Sequence, residues 1–163
     1  MQFTIQRIPQ SLQEFQALAG KLDAPEKTCA LFLCAVFLFD KNKDEGTAAM
    51  NLLKGPQPMT PYDIQFMRDR LSGKPYLPLA YFDGATPENG YTPNVPYVLT
   101  VKEDPRPQDV KEGYLRVFLQ TTGADSPRPV KLRKKTSTGE WFLWEYTGIL
   151  VGIRTPVNDD PWT

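Results

Sequence analysis

Apolar positions recur every three or four residues up to Gly73, and mostly every second residue after Pro96. The first period belongs to amphipathic helices and the second to half-buried strands. Phe3-Thr-Ile-Gln alternates and predicts a short strand closed by Pro9. Ser11-x-x-Glu14 is a capping box, opening a helix with Leu12, Phe15, Leu18, Ala19 and Leu22 on one face. Pro25 fits the first turn of a second helix that runs to about Phe39. That helix is apolar nearly all round, so it is expected to be buried on most sides and central to its half. The polar run from Asp40 to Gly46 breaks the pattern. Asp44 is read as the cap of a helix Glu45–Lys54, stopped by Gly55 and Pro56. Thr60-Pro-Tyr-Asp63 starts a fourth helix, carrying Tyr62, Phe66, Met67, Arg70 and Leu71 and ending at Ser72-Gly73.

Beyond Gly73 the composition shifts. Ten of the sixteen prolines lie between Pro56 and Pro107. Tyr76 to Asn94 alternates aromatics with Pro, Gly and Asn, which predicts an ordered loop pinned by its rings. Strands follow at Pro96–Lys102, Tyr114–Gln120, Pro129–Lys134 and Trp141–Tyr146, with a turn at Thr136–Gly139 and a short turn or strand from Gly148 to Arg154. The expected fold is α+β: an N-terminal helical half packed on a C-terminal small antiparallel β-sheet or SH3-like barrel. One domain is expected over residues 1–163, with 1–73 mainly helical and 74–156 holding the aromatic loop and the β half.

Composition narrows the chemistry. Hydrophobic residues make up 40% and charged ones 23%, enough for a core without staples. Nineteen basic residues balance nineteen acidic ones, which weighs against bulk binding to nucleic acid or an anionic membrane. There is no histidine. Its absence removes the commonest general base, the Ser-His and Cys-His nucleophile pairs and the commonest zinc ligand. Cys29 and Cys34, five apart on a helix, point to different faces; they read as buried reduced thiols, in keeping with the cytoplasm. The apolar run Ala30–Phe39 is too short for a membrane span of about 20 residues, and the first residues lack a secretory pattern. Asp40, Asn42 and Asp44 mimic the start of a calcium loop, but Glu45 stands where glycine is required and Asn51 where the bidentate glutamate is. No cofactor and no metal are expected.

Four clusters carry what chemistry remains. Lys131, Arg133 and Lys135 alternate with Val130 and Leu132, which puts the cations on one face. The stretch 113–156 holds seven basic residues against three acidic ones, net +4, leaving −4 for the rest. Beside Trp141, Trp144 and Tyr146 this face could hold an anionic ligand such as single-stranded nucleic acid, or be a solvated edge strand whose lysines block pairing. In Asp125-Ser-Pro-Arg-Pro129, Arg128 either offers a fixed guanidinium to a carboxylate or phosphate or pairs with Asp125 or Glu145 to close the loop. The preference is for closure. Tyr76, Tyr81, Phe82, Tyr91 and Tyr97 either line a groove or pin the proline-rich loop. Asp83, Glu88, Asp125 and Glu145 are the carboxylates a hydrolase would have to bring together.

The runs YLPLAYFDGATPENGYTP, GADSPRP and WFLWEY, followed by Gly152-Ile-Arg154, resemble a family of uncharacterised bacterial proteins, mainly from Clostridia-type gut organisms, that share a domain of unknown function. The resemblance spans roughly Pro61 to Pro156 and is weaker upstream. It implies a compact, mainly intracellular module and brings no activity or residue roles with it. The leading expectation is a non-enzymatic module that binds a protein or peptide. Its candidate ligand-binding residues are Arg128, Trp144, Tyr81, Tyr91, Lys131 and Arg133. Single-stranded nucleic-acid or polyanion binding is the alternative, and a carboxylate-based hydrolase the second.

Overall fold

A computed structural model describes residues 1–163. Four helices, α1 (Leu12–Ala19), α2 (Pro25–Lys41), α3 (Lys43–Lys54) and α4 (Pro61–Leu71), precede most of a five-stranded antiparallel sheet. The strands are β1 (Gln2–Ile5), β2 (Tyr97–Glu103), β3 (Tyr114–Leu119), β4 (Arg128–Lys135) and β5 (Glu140–Glu145). They lie in the order β1-β2-β3-β4-β5 and curl into an open half-barrel. The fold is α+β. The helical half also contributes β1, which pairs Gln2 with Thr100 and Ile5 with Tyr97.

The caps explain where the helices begin. Ser11 accepts from Glu14 N–H, and Thr60 and Asp63 form a reciprocal capping box. The third start differs from expectation: Asn42, not Asp44, caps α3. The Asn42 side chain accepts from the N–H groups of Asp44 and Glu45, and Asn42 also ends α2. An amide oxygen placed two residues earlier satisfies two orphan donors, and leaves Asp44 and Glu45 in the first turn, where the helix dipole favours acids.

This single-residue corner folds α3 back along α2. The two helices touch where Gly46 faces Phe39. α2 is buried on nearly every side from Thr28 to Phe39, broken only by Phe37, as its all-round apolar pattern predicts. It contacts α1, α3, β1, β2 and β5. Leu99, Val101, Val117, Leu119, Val130, Leu132 and Leu143 line the inner face of the sheet and join the same core. Each such side chain contributes about 1.5–3 kcal/mol when fully buried.

β4 is an interior strand: β3 flanks it on one side and β5 on the other. The edge-strand reading of its lysines is therefore corrected. β5 is an outer strand, and part of its free backbone is already taken. Trp141 N–H donates to Leu22 C=O, and Thr28 Oγ1 donates to Trp141 C=O, both at 2.8 Å. The stretch from Tyr76 is a packed loop containing a short 3-10 helix, Leu77–Tyr81. Asn89 fastens its turn, accepting from Thr86 and Thr92 N–H and donating to Gly84 and Thr92 C=O. The Gly148–Arg154 region opens in another 3-10 helix, Thr147–Leu150.

Candidate functional site: a basic, aromatic cleft at the β5 edge

The outer face of β3 and β4 pairs Tyr114 with Arg133 and Arg116 with Lys131. A register shift between Lys131 and Leu132 lets β5 carry one extra residue there, Trp144, between Leu143 and Glu145. The bulge turns Trp144 onto Tyr114, with ring centres 5.4 Å apart in an edge-to-face arrangement. The Arg133 guanidinium lies 4.9 Å from the centre of each ring. Lys131 is 4.9 Å from the Tyr114 ring and 3.3 Å from Asp109. Three of the residues singled out from sequence, Lys131, Arg133 and Trp144, thus share one surface.

Around Trp144 and Arg133 opens a cleft of about 360 Å3. Lys54, Pro56 and Gln57 form one wall; Arg133, Lys134, Lys135, Thr136, Phe142, Leu143 and Trp144 form the rest. Four cations line it and no carboxylate does. The ion pairs of the chain are Arg7–Glu14, Arg116–Asp104, Lys131–Asp109 and Arg154–Asp125. None involves Lys54, Arg133, Lys134 or Lys135, so no ion pair neutralises the cations of the cleft. Lys54 lies 5.3 Å from the Tyr146 ring and Lys134 lies 5.6 Å from that of Trp141. In both, the ammonium group itself rests against a ring face, which orients the charge without neutralising it.

The placement of Lys54 follows from local chemistry. It is the last residue of α3, and Gly55 turns the chain with φ +62. A Cβ on Gly55 would come within 2.8 Å of the Phe142 ring. Only glycine lets the helix end approach β5 this closely. Sequence reasoning missed Lys54 and Phe142 because the contact joins residues 88 positions apart. The available signals were a lysine before Gly-Pro and a phenylalanine between two tryptophans.

The other candidates lie elsewhere. Tyr81 and Tyr91 are 2% and 1% exposed. Tyr81 Oη donates to Ile149 C=O at 2.6 Å and Tyr91 Oη to Arg154 C=O at 2.7 Å. Burial pushes the Tyr81 hydroxyl above its ordinary value. These rings pin the loop; Tyr81 also borders, with Phe82, Asp83 and Thr121, a hollow of about 210 Å3. Arg128 donates to Gly152 C=O at 3.2 Å, and its Nε is buried without a partner. The expected closure of the turn by Arg128 with Asp125 or Glu145 is corrected. Asp125 pairs with Arg154, which also holds Thr122 C=O. Arg154 reaches the turn because its own N–H is bonded to Gly123 C=O. Among the other carboxylates, Asp83 accepts from Thr100 Oγ1, Glu88 is exposed, and Glu145 stands exposed opposite Lys131.

The cleft lining carries four cations and no carboxylate or thiol. Both thiols are buried in α2, with Cys34 pushed up to about 12 by desolvation and Cys29 higher still. No three of the Cys, Asp and Glu side chains cluster as a metal site would require. No helix is long and apolar enough to cross a membrane.

A family model described as Domain of unknown function (DUF6935) matches residues 7–157. The match takes in the helical half as well as the region of the distinctive motifs. No curated protein and no solved structure matches the chain.

Proposed function

We propose that this chain, which belongs to the DUF6935 family, is a non-enzymatic interaction module that binds an acidic protein segment in the cleft between the end of α3 and β5. One observation carries the reading: four cations without ion-pair partners converge on a cleft bordered by Phe142 and Trp144 and free of carboxylates. A surface built only to stay soluble mixes its charges. Like charges gathered without partners repel one another and gain from an anionic guest. The two reduced, buried thiols favour a reducing, cytoplasmic setting for that encounter.

A protein segment fits better than single-stranded nucleic acid. Base stacking needs free ring faces, and Arg133 already lies over both Tyr114 and Trp144. The overall charge is also zero, so no broad field gathers a long polyanion.

Binding of labelled poly-glutamate and of a mixed-sequence oligonucleotide, followed by fluorescence anisotropy at low salt, tests the reading. Poly-glutamate should bind, and the double variant Lys134→Glu/Lys135→Glu should lose at least about tenfold in affinity, as expected when two attractive charges become repulsive. Tighter binding of the oligonucleotide would transfer the cleft to nucleic acid. Equal binding by wild type and the double variant would remove the cleft from consideration.

A further inference from the structure

A second hollow lies on the far side of Phe142. It has a volume of about 400 Å3, and its apolar lining comes from Ala19, Leu22, Leu52, Leu53 and Phe142. Phe142 therefore lines both this hollow and the basic cleft. Leu52 is 44% exposed, one of few large apolar side chains left so open. The one carboxylate at the hollow, Glu140, is already occupied by Leu22 N–H at 3.1 Å. The two hollows are thus neighbours of opposite character, one apolar and one cationic, divided by a single aromatic ring.

We infer that they act as one two-part groove, and that its occupant is an acidic protein segment with a bulky apolar side chain next to its carboxylates. The inference rests on the acidic-segment reading above and adds the feature that selects among acidic segments. In extended chain, side chains alternate between faces, so those on one face recur every second residue, about 6.6 Å apart. Two or three residues therefore carry a segment across the Phe142 ring, from the Leu52 hollow to Lys54 and Lys134. Charge complementarity fixes the acidic end. Water-exposed Leu52 fixes the apolar end, since covering it removes apolar surface from water. The segment docks through its side chains: Leu22 and Thr28 already hold the N–H and C=O of Trp141, so this part of β5 cannot accept an added strand.

Two labelled peptides test this by fluorescence anisotropy at low salt: the Glu-Gly peptide, which alternates Glu and Gly with one central Glu replaced by Ala, and the Leu peptide, which carries Leu at that place, on the same face as the remaining Glu side chains. The Leu peptide should bind wild type about tenfold more tightly, the effect of one well-buried apolar side chain. Leu52→Gln, a neutral change at an exposed helical position, should reduce that advantage to about twofold or less while leaving the Glu-Gly peptide unchanged. Equal binding of the two peptides to wild type, or an advantage that survives Leu52→Gln, overturns the two-part groove while the acidic-segment reading stands. Failure of both peptides to bind overturns the acidic-segment reading and this inference with it.

Discussion

Gly46→Ala is a sharp test of the helical half. At an exposed helix position the change would stabilise, because alanine is better than glycine by about 1 kcal/mol. Here the new Cβ would fall 2.1 Å from Phe39 Cα, where real contacts begin at about 3.4 Å. The obstructing atom is backbone, so no rotamer change relieves it. α3 must move away from α2 by more than an ångström, and α2 is packed on its other sides by α1 and the sheet. Overpacking of this kind costs about 1–3 kcal/mol and sometimes more. The separation also opens gaps around Met50 and Leu53, whose van der Waals contacts fall off over fractions of an ångström. With the obstacle at 2.1 Å and in the backbone, the cost lies at the upper end, about 3 kcal/mol, so after the propensity gain of about 1 kcal/mol a net loss of about 2 kcal/mol is expected. For a chain of this size that is a fall in Tm of roughly 4–8 °C. Thermal and urea unfolding followed by circular dichroism provide the measurement, with Gly46→Ser as a second small side chain that should fall by a similar amount. An unchanged or raised midpoint in both variants would refute the close crossing of α2 and α3 at this residue.

Two further outcomes follow from titrating groups. Asp104 is held below the usual carboxylate value, first by the N–H of Arg106 and then by Arg116. A depressed carboxylate stabilises the fold above its unfolded pKa, about 3.9, and that contribution fades as pH falls through the folded value. Asp104→Asn should therefore be less stable than wild type at neutral pH, and the gap should close below about pH 4; a gap independent of pH would count against the pairing. Cys29 and Cys34, both buried with their thiols pushed upward, should resist alkylation in the native state and react at the rate of global unfolding. Fast labelling under native conditions would contradict the burial of α2.

Much of the fold was legible because it depends on local chemistry. The cap at Ser11 (whose Glu14 carboxylate takes Gln10 N–H rather than closing the expected box), the capping box at Thr60, the all-round apolar α2 and the alternation of β3 and β4 act over a few residues, and each element formed close to its expected place. The α3 cap was misplaced by two residues because Asn42 and Asp44 are both good caps, and the tight corner with α2 decides between them. The site was less legible because it depends on contacts distant in sequence. Alternation correctly put Lys131 and Arg133 outside, but only the bulge in β5 brings Trp144 to them. Arg154, thirty-two residues past Thr122, took the partner assigned to Arg128. Tyr81 and Tyr91 read equally as groove lining or as pins of the proline-rich loop; they are pins, and each hydroxyl finds a backbone carbonyl more than sixty residues away, a partner no local pattern names. Phe142 and Lys54 belong to different halves, and no local pattern joins them.

The burial of α2 has a consequence for how the chain is made. Its apolar surface is covered by α1 and α3 on some sides and by β1, β2 and β5 on others. β1 leaves the ribosome before α2 but finds its partner only when residues 97–100 have appeared. β5 emerges about a hundred residues after α2. At about 5–20 residues per second, roughly 5–20 s pass with α2 made and its sheet-facing side open to water. During that interval the nascent helices form a sticky half-product, and holding chaperones or a lowered synthesis temperature should raise the soluble yield more than any change to the finished surface.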